Sequence, residues 1–336
     1  MINFFLYDKN MKKIIFIIPL IITSLFCTSC NKYEDKELTI VMKNNSLKIA
    51  QFTDLHFGTE GLQYHNPNIN KTISFMNKVV EATSPDLIVL SGDIIMGTGI
   101  DGISKIIEIM DNYQTPWTYL FGNHDAESFS MNYSKKDVSN YLSTSSSKYL
   151  LYKNGYIELG NENRYGNFSI KVVDEQNKLI GAIINMDSGV YDYSLDSYQK
   201  ITPSQTNWYI EEIDKLNDIY LKQSSNSNTI IPTILFNHMP PREFHQIYSQ
   251  INNGGEGEII IPQRRLNDNN KSFFQTVIEK ESTKAFFAGH YHIMKYQVKY
   301  GNLTFGFAPH TMGNSLTYVY DFNEQFNFTT IEATNN

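Results

Sequence analysis

The apolar positions in the first third of the chain switch repeatedly between two spacings. Residues 47–52 alternate enough for a strand, and residues 87–90 form the continuous apolar run that is typical of a buried parallel strand. Apolar residues recur at helical spacing over residues 69–80 and again over 103–110, before a further apolar segment at 117–121. The order strand, helix, strand, helix, strand predicts an open α/β sheet with parallel strands.

Alternating segments dominate the remainder of the chain. We predict a helix near 135–142, paired strands at 168–173 and 179–186, a long helix at about 203–222, strands at 229–236 and 284–288, and three or four β segments between 294 and 333. Residues 250–270 are irregular and contain Gly254-Gly255, a composition suited to a lid or rim. The sequence has no internal repeat and no obvious second domain, so residues 47–333 are predicted to form one domain.

Composition limits the classes of function. Of the 336 residues, 41% are hydrophobic and 19% are charged, which excludes wholesale disorder. The net charge is -7, and the arginines are only Arg164, Arg242, Arg264 and Arg265. An acidic chain this poor in arginine disfavours a long nucleic-acid footprint, although a metal ion could supply positive charge for a local phosphate site. Both cysteines lie within the first thirty residues, so no disulfide is expected inside the folded body.

The N-terminal segment predicts export. Two lysines precede a short apolar run at residues 14–26, which ends at Cys27-Thr28-Ser29-Cys30, and this is the layout of a secretory signal peptide. The segment resembles a bacterial lipoprotein signal, in which cleavage leaves a cysteine, here Cys30, to carry the lipid. We expect residues 1–30 to be a signal peptide, residues 31–46 a tether, and the protein to be held at a bacterial membrane, periplasmic or at the cell surface. The alternative is a plain secretory signal and a secreted protein.

Polar side chains follow five of the predicted strands at their carboxyl ends. These side chains are Asp54, His56, Asp93, Asn123, His124, His238, His290 and His292. Open α/β sheets bind ligands at this edge, and the oxygens and imidazoles are enough to hold two metal ions that share a bridging ligand. Because the set contains no thiolate, iron, manganese or zinc suits it better than copper(I) or an iron–sulfur cluster.

Five short motifs at these strand ends are similar to those of the calcineurin-like metallophosphoesterases. They are Asp54-Leu55-His56, Gly92-Asp93, Gly122-Asn123-His124-Asp125, Asn237-His238 and Gly289-His290-Tyr291-His292, in family order within residues 47–321. The resemblance implies a four-layer α/β/β/α sandwich with a dimetal site where both sheets present their carboxyl-terminal loops. The layout also resembles purple acid phosphatase-like proteins. Met96, however, stands where purple acid phosphatases carry a tyrosinate ligand, which disfavours a purple iron–tyrosinate enzyme.

The resemblance also assigns roles to the site residues. A first metal ion is expected at Asp54, His56, Asp93 and His292, and a second at Asp93, Asn123, His238 and His290, with Asp93 as the bridge. His124 is expected to stay off the metals and to protonate the departing alkoxide after a metal-bridged hydroxide attacks phosphorus in line. Asp125 would orient His124, although a helix cap is an equal alternative.

These features predict a metal-dependent phosphatase or phosphodiesterase that acts outside the cytoplasm on a small phosphoester. Monoesters, diesters and nucleotides stay open as substrates, and so does a catalytically idle relative that serves as a metal-binding surface module. The motif at residues 122–125 disfavours a dimetal hydrolase of C–N bonds. Arg242 and His310 are candidates for substrate contacts, and Tyr64 and Tyr291 are candidates for stacking on a sugar or base.

Overall fold

The computed structural model describes most of the chain from residue 37 onward. The described residues are 37–58, 66, 68–126, 133–157, 164–192, 194, 196–223, 229–252, 272–292, 294–313 and 316–334. Within these ranges, no helix combines the length and apolar character needed to cross a membrane. The predicted signal peptide with Cys30, Tyr64 and most of the predicted lid stretch 250–270 lie outside the described residues.

Helices are interspersed among the strands up to the strand Thr283–Ala288, and strands alone follow it among the described residues. The strands are β1 (Thr39–Val41), β2 (Ser46–Phe52), β3 (Phe57–Gly58), β4 (Leu87–Ser91), β5 (Ile95–Met96), β6 (Trp117–Leu120), β7 (Phe168–Val173), β8 (Leu179–Asn185), β9 (Tyr191–Asp192), β10 (Ser197–Tyr198), β11 (Thr233–Phe236), β12 (Thr283–Ala288), β13 (Gln297–Tyr300), β14 (Leu303–Phe307), β15 (Leu316–Asn323) and β16 (Phe328–Thr334). The helices are α1 (Ile69–Thr83), α2 (Gly99–Asn112), α3 (Lys135–Ser143), α4 (Pro203–Gln223), α5 (Glu243–Asn252) and α6 (Phe273–Lys280), and a single 3-10 turn covers His124–Ala126.

The strands form two large sheets. One has five strands in the order β16-β15-β2-β4-β6, and its members β2, β4 and β6 run parallel to each other. The other has seven strands in the order β1-β7-β8-β11-β12-β14-β13, with β8, β11, β12 and β14 parallel. Two further two-stranded sheets pair β3 with β5 and β9 with β10.

The side chains of the seven-stranded sheet alternate between two cores. Phe287 of β12 belongs to the core shared with the five-stranded sheet, and its ring stacks on Tyr320 of β15 with centroids 4.0 Å apart. Its neighbour Phe286 belongs to a second core that contains residues of α4, α5 and α6. This period of two places a core on each face of the sheet. The predicted α/β fold, with sheets flanked by helices, is therefore confirmed.

Strand β1 corrects the predicted tether 31–46. Leu38, Ile40 and Met42 are buried and alternate with exposed residues, which is a strand pattern. Thr39–Val41 pairs in parallel with β7, so that Ile40 lies opposite Val172. Residues 38–42 therefore belong to the edge of the seven-stranded sheet and not to a tether. Burial of their apolar side chains stabilises them in this position.

Other differences from the predicted elements are small. Strand β11 begins at Thr233 rather than at residue 229, since Pro232 has no backbone N–H to donate to a neighbouring strand. Helices α5 and α6 were not predicted. Each is short, yet α6 has a clear start signal, because the side chain of Ser272 accepts a hydrogen bond from the backbone N–H of Gln275.

Candidate metal centre

The loops after five parallel strands meet at one edge of the two sheets. These loops follow β2, β4 and β6 in one sheet and β11 and β12 in the other. The backbone N–H of Asp54 donates to the carbonyl of Gly92 at 3.0 Å, and that of His56 donates to the carbonyl of Asp93, also at 3.0 Å. The backbone N–H of Gly289 donates to the carbonyl of His238 at 3.0 Å. Backbone hydrogen bonds thus join the loops after β2 and β4 in one sheet, and the loops after β11 and β12 in the other.

The backbone at this edge is unusual. Asp54, His56, Asp93 and His290 have φ values of 54°, 48°, 52° and 72°, the left-handed region that residues with a side chain rarely adopt. Each such residue costs free energy and persists only where the surrounding structure requires it. Their concentration at one sheet edge points to a functional site.

Two glycines permit the close approach of the loops. A Cβ on Gly122 would lie 2.2 Å from Oδ1 of Asp93, and a Cβ on Gly92 would lie 2.5 Å from the ring of His238. Gly92 also has a φ of +92°, which strongly favours glycine. The glycines of the Gly92-Asp93 and Gly122–Asp125 motifs are therefore required by packing around Asp93.

The predicted ligands lie in three overlapping groups. The groups are Asp54 with His56 and His292, Asp93 with His238 and His290, and His56 with Asp93 and His124, and in each the ligand atoms lie within 4.8 Å of one another. Oδ1 of Asp54 is 3.2 Å from Nε2 of His292, and Oδ2 of Asp93 is 3.0 Å from Nε2 of His238. Each of the first two groups contains three of the four residues predicted for one metal ion, and Asp93 belongs to two of the three groups.

Several buried polar atoms at this edge have no partner other than the predicted ligands themselves. Oδ1 of Asn123 has no hydrogen-bond partner among the described residues, and Oδ1 of Asp54 and Nε2 of His238 meet only His292, at 3.2 Å, and Asp93, at 3.0 Å. A buried polar atom without a partner costs about 1–3 kcal/mol, so a native fold keeps one only for a reason. All three atoms belong to predicted ligands, and a metal ion would satisfy each of them. The residues present therefore fit a centre that holds metal ions.

Hydrogen bonding orients His238 for this role. Its Nδ1 lies 2.9 Å from the carbonyl oxygen of Ser91, which is a hydrogen-bond acceptor. A proton on Nδ1 leaves the lone pair of the neutral imidazole on Nε2, the atom that faces Asp93. The Ser91 carbonyl thus selects the tautomer that can bind a metal.

Burial and charge oppose each other at the two aspartates. Burial alone would raise the pKa of Asp54, but His238 and His292 hold that pKa at about 2. Burial also acts to raise the pKa of Asp93, and the neighbouring imidazoles, His238 first, bring it well below its usual value. At His238, burial would lower the pKa, but Asp93 and Asp54 raise it to about 9. Without a metal ion, a proton on His238 supplies the positive charge that the carboxylates need.

His56 and His290 differ from His238. Burial, the largest cause, lowers the pKa of each to about 4, and for His290 the nearby charge of His238 adds to this effect. Both imidazoles are therefore neutral near pH 7, and neutral imidazole is the form that binds metals. Only His238 among these three must lose a proton at that pH before it can serve as a ligand.

The comparisons with known proteins agree with this geometry. A family model described as calcineurin-like phosphoesterase matches residues 47–294. This chain belongs to the calcineurin-like phosphoesterase family. The resemblance predicted from its five motifs is thereby confirmed.

Two plant relatives share sequence with this calcineurin-like phosphoesterase. The protein named probable inactive purple acid phosphatase 29 of Arabidopsis thaliana is 28% identical over 303 residues, covering 81% of this chain and 74% of the relative. The one named probable inactive purple acid phosphatase 14 is 24% identical over 272 residues, covering 73% and 65%. A solved dimetal phosphatase from Danio rerio matches with a TM-score of 0.53 at 11% identity, over 86% of this chain and 99% of that structure, which supports the fold alone.

Asp125 has a structural role that the sequence did not predict. Its Oδ2 accepts hydrogen bonds from the backbone N–H groups of Asp93 and Gly122 at 2.9 and 2.6 Å, and its Oδ1 accepts from those of Ile94 and Ile95 at 2.8 and 2.9 Å. The carboxylate therefore holds the loop after β4, a role that differs from both predicted alternatives, orienting His124 and capping a helix. Burial and the charge of Asp93 raise the pKa of Asp125 to about 6, although the backbone donors favour its ionised form.

The two predicted substrate contacts have different surroundings. His310 lies against the metal centre, since its ring stacks on His292 at 5.0 Å and its Nδ1 lies 2.5 Å from the carbonyl oxygen of His292. Arg242 is exposed and immediately precedes α5, four positions after His238. His310 thus orients a predicted ligand, and a substrate contact stays a prediction for both residues.

Two threonine side chains that were not predicted support the site, and an unpredicted aspartate lies at the same sheet edge. The hydroxyl of Thr53 donates to Oδ2 of Asp54 at 2.8 Å, and the hydroxyl of Thr311 accepts from the N–H of Thr53 at 3.2 Å. Asp187 follows β8 at the same sheet edge, where Lys135 pairs with it at 2.8 Å. A polar residue after a strand was a usable signal for Asp187, but no local pattern links Thr53 to Thr311, which is 258 residues away.

Metal affinity is expected to increase with pH up to the region of pH 9. His238 has a metal-free pKa of about 9 and must lose its proton to bind, so affinity falls by up to about tenfold for each pH unit below that value. His56 and His290, with pKa values of about 4, are already neutral. Calorimetric titration with Zn²⁺ in buffers of different ionisation enthalpy measures the protons released. We expect about one proton at neutral pH; an affinity independent of pH would contradict this account.

Asp125→Asn is expected to weaken both the fold and the metal centre. The amide keeps one acceptor oxygen and places an NH₂ group against two backbone donors, so the free energy of unfolding falls by about 1–3 kcal/mol. Urea denaturation and metal analysis measure the two effects. Asp101→Asn, an exposed acid in the first turn of α2, is the control for loss of charge. Normal stability and metal content with reduced turnover would instead favour a role for Asp125 in orienting His124.

Proposed function

We propose that this protein is a metal-dependent phosphoester hydrolase. The proposal rests on the buried and partly buried carboxylate and imidazole groups that converge at one sheet edge, with His124 beside them. The family, whose members are generally hydrolases, supports the same conclusion. The ligands of the first ion would be Asp54, His56, Asp93 and His292, and those of the second Asp93, Asn123, His238 and His290.

The metal ions would supply one part of the chemistry. Two divalent ions stabilise the charge of phosphoryl oxygens and make water nucleophilic near neutral pH. The oxygen and nitrogen ligand set suits iron, manganese or zinc. The residue at the tyrosinate position is Met96, which is buried in β5 and has no hydroxyl group, so we propose a site without that ligand.

His124 is proposed to act as the general acid. The backbone N–H of His124 donates to Oδ1 of Asp93 at 2.7 Å, and its Nε2 lies 3.9 Å from Oδ2 of Asp93. Its side chain is 19% exposed, whereas that of Asp93 is 2% exposed, so His124 is accessible to a substrate at the edge of the centre. In this position it would donate a proton to the oxygen of the departing alcohol.

A catalytically idle metal-binding module is the second candidate function. The names of two Arabidopsis thaliana relatives, each a probable inactive purple acid phosphatase, favour it. The retention of His124 supports activity, because the proposed ligand sets do not need it. Within the active hydrolase, monoesters and diesters are both open as substrates.

His124→Ala separates these possibilities. We expect the variant to keep its metals and to lose about 10²–10⁴ in kcat on glycerol 3-phosphate, whose leaving group needs a proton. The loss should be smaller on p-nitrophenyl phosphate, since nitrophenolate leaves without one. Asp93→Asn, which removes the bridging carboxylate, is the control and should lose metal as well as turnover.

The other outcomes of this experiment are equally informative. Loss of metal from His124→Ala would make His124 a ligand, as its grouping with His56 and Asp93 permits. Absence of turnover by the metal-loaded wild-type protein on mono- and diesters would favour the idle module. The ratio of p-nitrophenyl phosphate to bis-p-nitrophenyl phosphate turnover distinguishes a monoesterase from a diesterase.

We further propose that the protein is exported and held at a bacterial membrane by a lipid on Cys30. The support is the basic, apolar and small-residue pattern of residues 12–30. A small phosphoester outside the cytoplasm would then be the substrate.

Cys30→Ser is expected to move the full-length protein from the membrane fraction to the soluble fraction. Cys27→Ser, three positions earlier, is the matched control and should leave the protein in the membrane fraction. Fractionation and immunoblotting measure both. Release by Cys27→Ser alone would assign the lipid to Cys27, and no release by either would contradict a lipoprotein.

A further inference from the structure

Two tyrosines lie against the proposed metal ligand His290. The ring centroid of Tyr198 is 4.6 Å from that of His290, and the centroid of Tyr291 is 5.0 Å from it. Both rings meet the imidazole nearly edge to face, at 83° and 77°. His290 is in turn 5.3 Å from His238, so the two tyrosines border the metal centre itself.

Tyr198 is held by a hairpin that is fastened at its base. Strands β9 and β10 pair so that Tyr198 lies opposite Tyr191, and the two rings pack at 5.0 Å. At the base, the N–H of Gln199 donates to the carbonyl of Val190 at 2.9 Å, and the N–H of Val190 donates to Oε1 of Gln199 at 3.1 Å. The hairpin thus holds Tyr198 beside the metal centre. Its side chain therefore loses little conformational entropy when a ligand binds.

Tyr291 is held by different neighbours. Its ring packs against His245 of α5 at 4.5 Å and against Phe307 of β14 at 5.7 Å. The turn that carries it is closed by a hydrogen bond from the N–H of Met294 to its carbonyl at 2.8 Å. Two separate parts of the fold therefore bring an aromatic ring to the same ligand.

Both tyrosine rings are exposed to solvent, although the centre that they border is largely buried. Tyr198 is 41% exposed and Tyr291 is 39% exposed, whereas Asp54 and His238 beside them are buried. Large aromatic side chains at the edge of a buried polar centre can stack on a flat ring of a substrate while the centre binds the phosphate group of the same substrate. Stacking of this kind accepts any base, because every base has a π face.

We propose that Tyr198 and Tyr291 form an aromatic rim that binds the flat ring of the alcohol part of the substrate. The inference rests on the proposed hydrolase function and narrows its substrates to phosphoesters of aromatic or nucleoside alcohols, in preference to aliphatic ones. The shared chemistry is a planar ring attached to a phosphate. Nucleotides and aryl phosphates are the two sources that the experiment distinguishes.

The test compares AMP, p-nitrophenyl phosphate and glycerol 3-phosphate on the metal-loaded protein. Tyr198→Ala and Tyr291→Ala should each raise KM for the ring-bearing substrates by about 5- to 100-fold. They should retain the bound metal and change KM for glycerol 3-phosphate much less than KM for the ring-bearing substrates, and Tyr198→Phe should retain wild-type KM. Tyr141→Ala, which removes a tyrosine that is 36% exposed on α3, is the control and should change none of these. A lower KM for AMP than for p-nitrophenyl phosphate would indicate nucleotides, and the reverse aryl phosphates.

Three results would overturn the rim. Metal loss in the alanine variants would mean that the tyrosines only support His290, and equal changes for all three substrates would mean the same. Unchanged KM values for the ring-bearing substrates would show that the tyrosines do not bind them. If no phosphoester is hydrolysed, the proposed function fails separately, and calorimetric AMP binding decides on the rim: weaker binding in the alanine variants supports it, and equal binding overturns it.

Discussion

Charge compensation at two buried carboxylates is the constraint on which the rest of this structure depends. Asp54 and Asp93 are almost completely buried, and each alone would be expensive to ionise there. The imidazoles around them keep both ionised, and the pKa of Asp54 is held at about 2. A cation is therefore required at this sheet edge, whether it is a protonated His238 or a metal ion. That requirement explains why histidines gather here from loops that are distant in the sequence.

Bringing those loops together costs backbone free energy. Asp54, His56, Asp93 and His290 all have positive φ values, and the surrounding structure holds them there. The carboxylate of Asp125 contributes by accepting four backbone hydrogen bonds, three of them from residues 93–95. The motif at residues 122–125 thus combines a proposed ligand, the proposed acid and a structural carboxylate in four consecutive residues.

Site residues could be predicted most reliably where a ligand side chain directly follows a predicted strand. Periodicity located the strands that precede Asp54, Asp93 and His290, and the carboxyl edge of a parallel sheet then predicted their proximity. Residues that act through distant partners were harder to assign. Asp125 was predicted either to orient His124 or to cap a helix, yet its hydrogen bonds go to Gly122 and to the loop after β4. Tyr198 was missed because nothing local connects a short hairpin to a histidine 92 positions later.

The division of the ligands between the two sheets has a consequence for the whole fold. Asp54, Asp93 and Asn123 follow strands of the five-stranded sheet, whereas His238, His290 and His292 follow strands of the seven-stranded sheet. Ions shared by these residues would cross-link the sheets in a body whose sequence from residue 31 onward contains no cysteine. Ligands that bind only the native state stabilise it by about 2.7 kcal/mol at a concentration one hundred times Kd. The melting temperature of the protein would then report on the metal supply of its surroundings, and the same ions would serve both chemistry and durability.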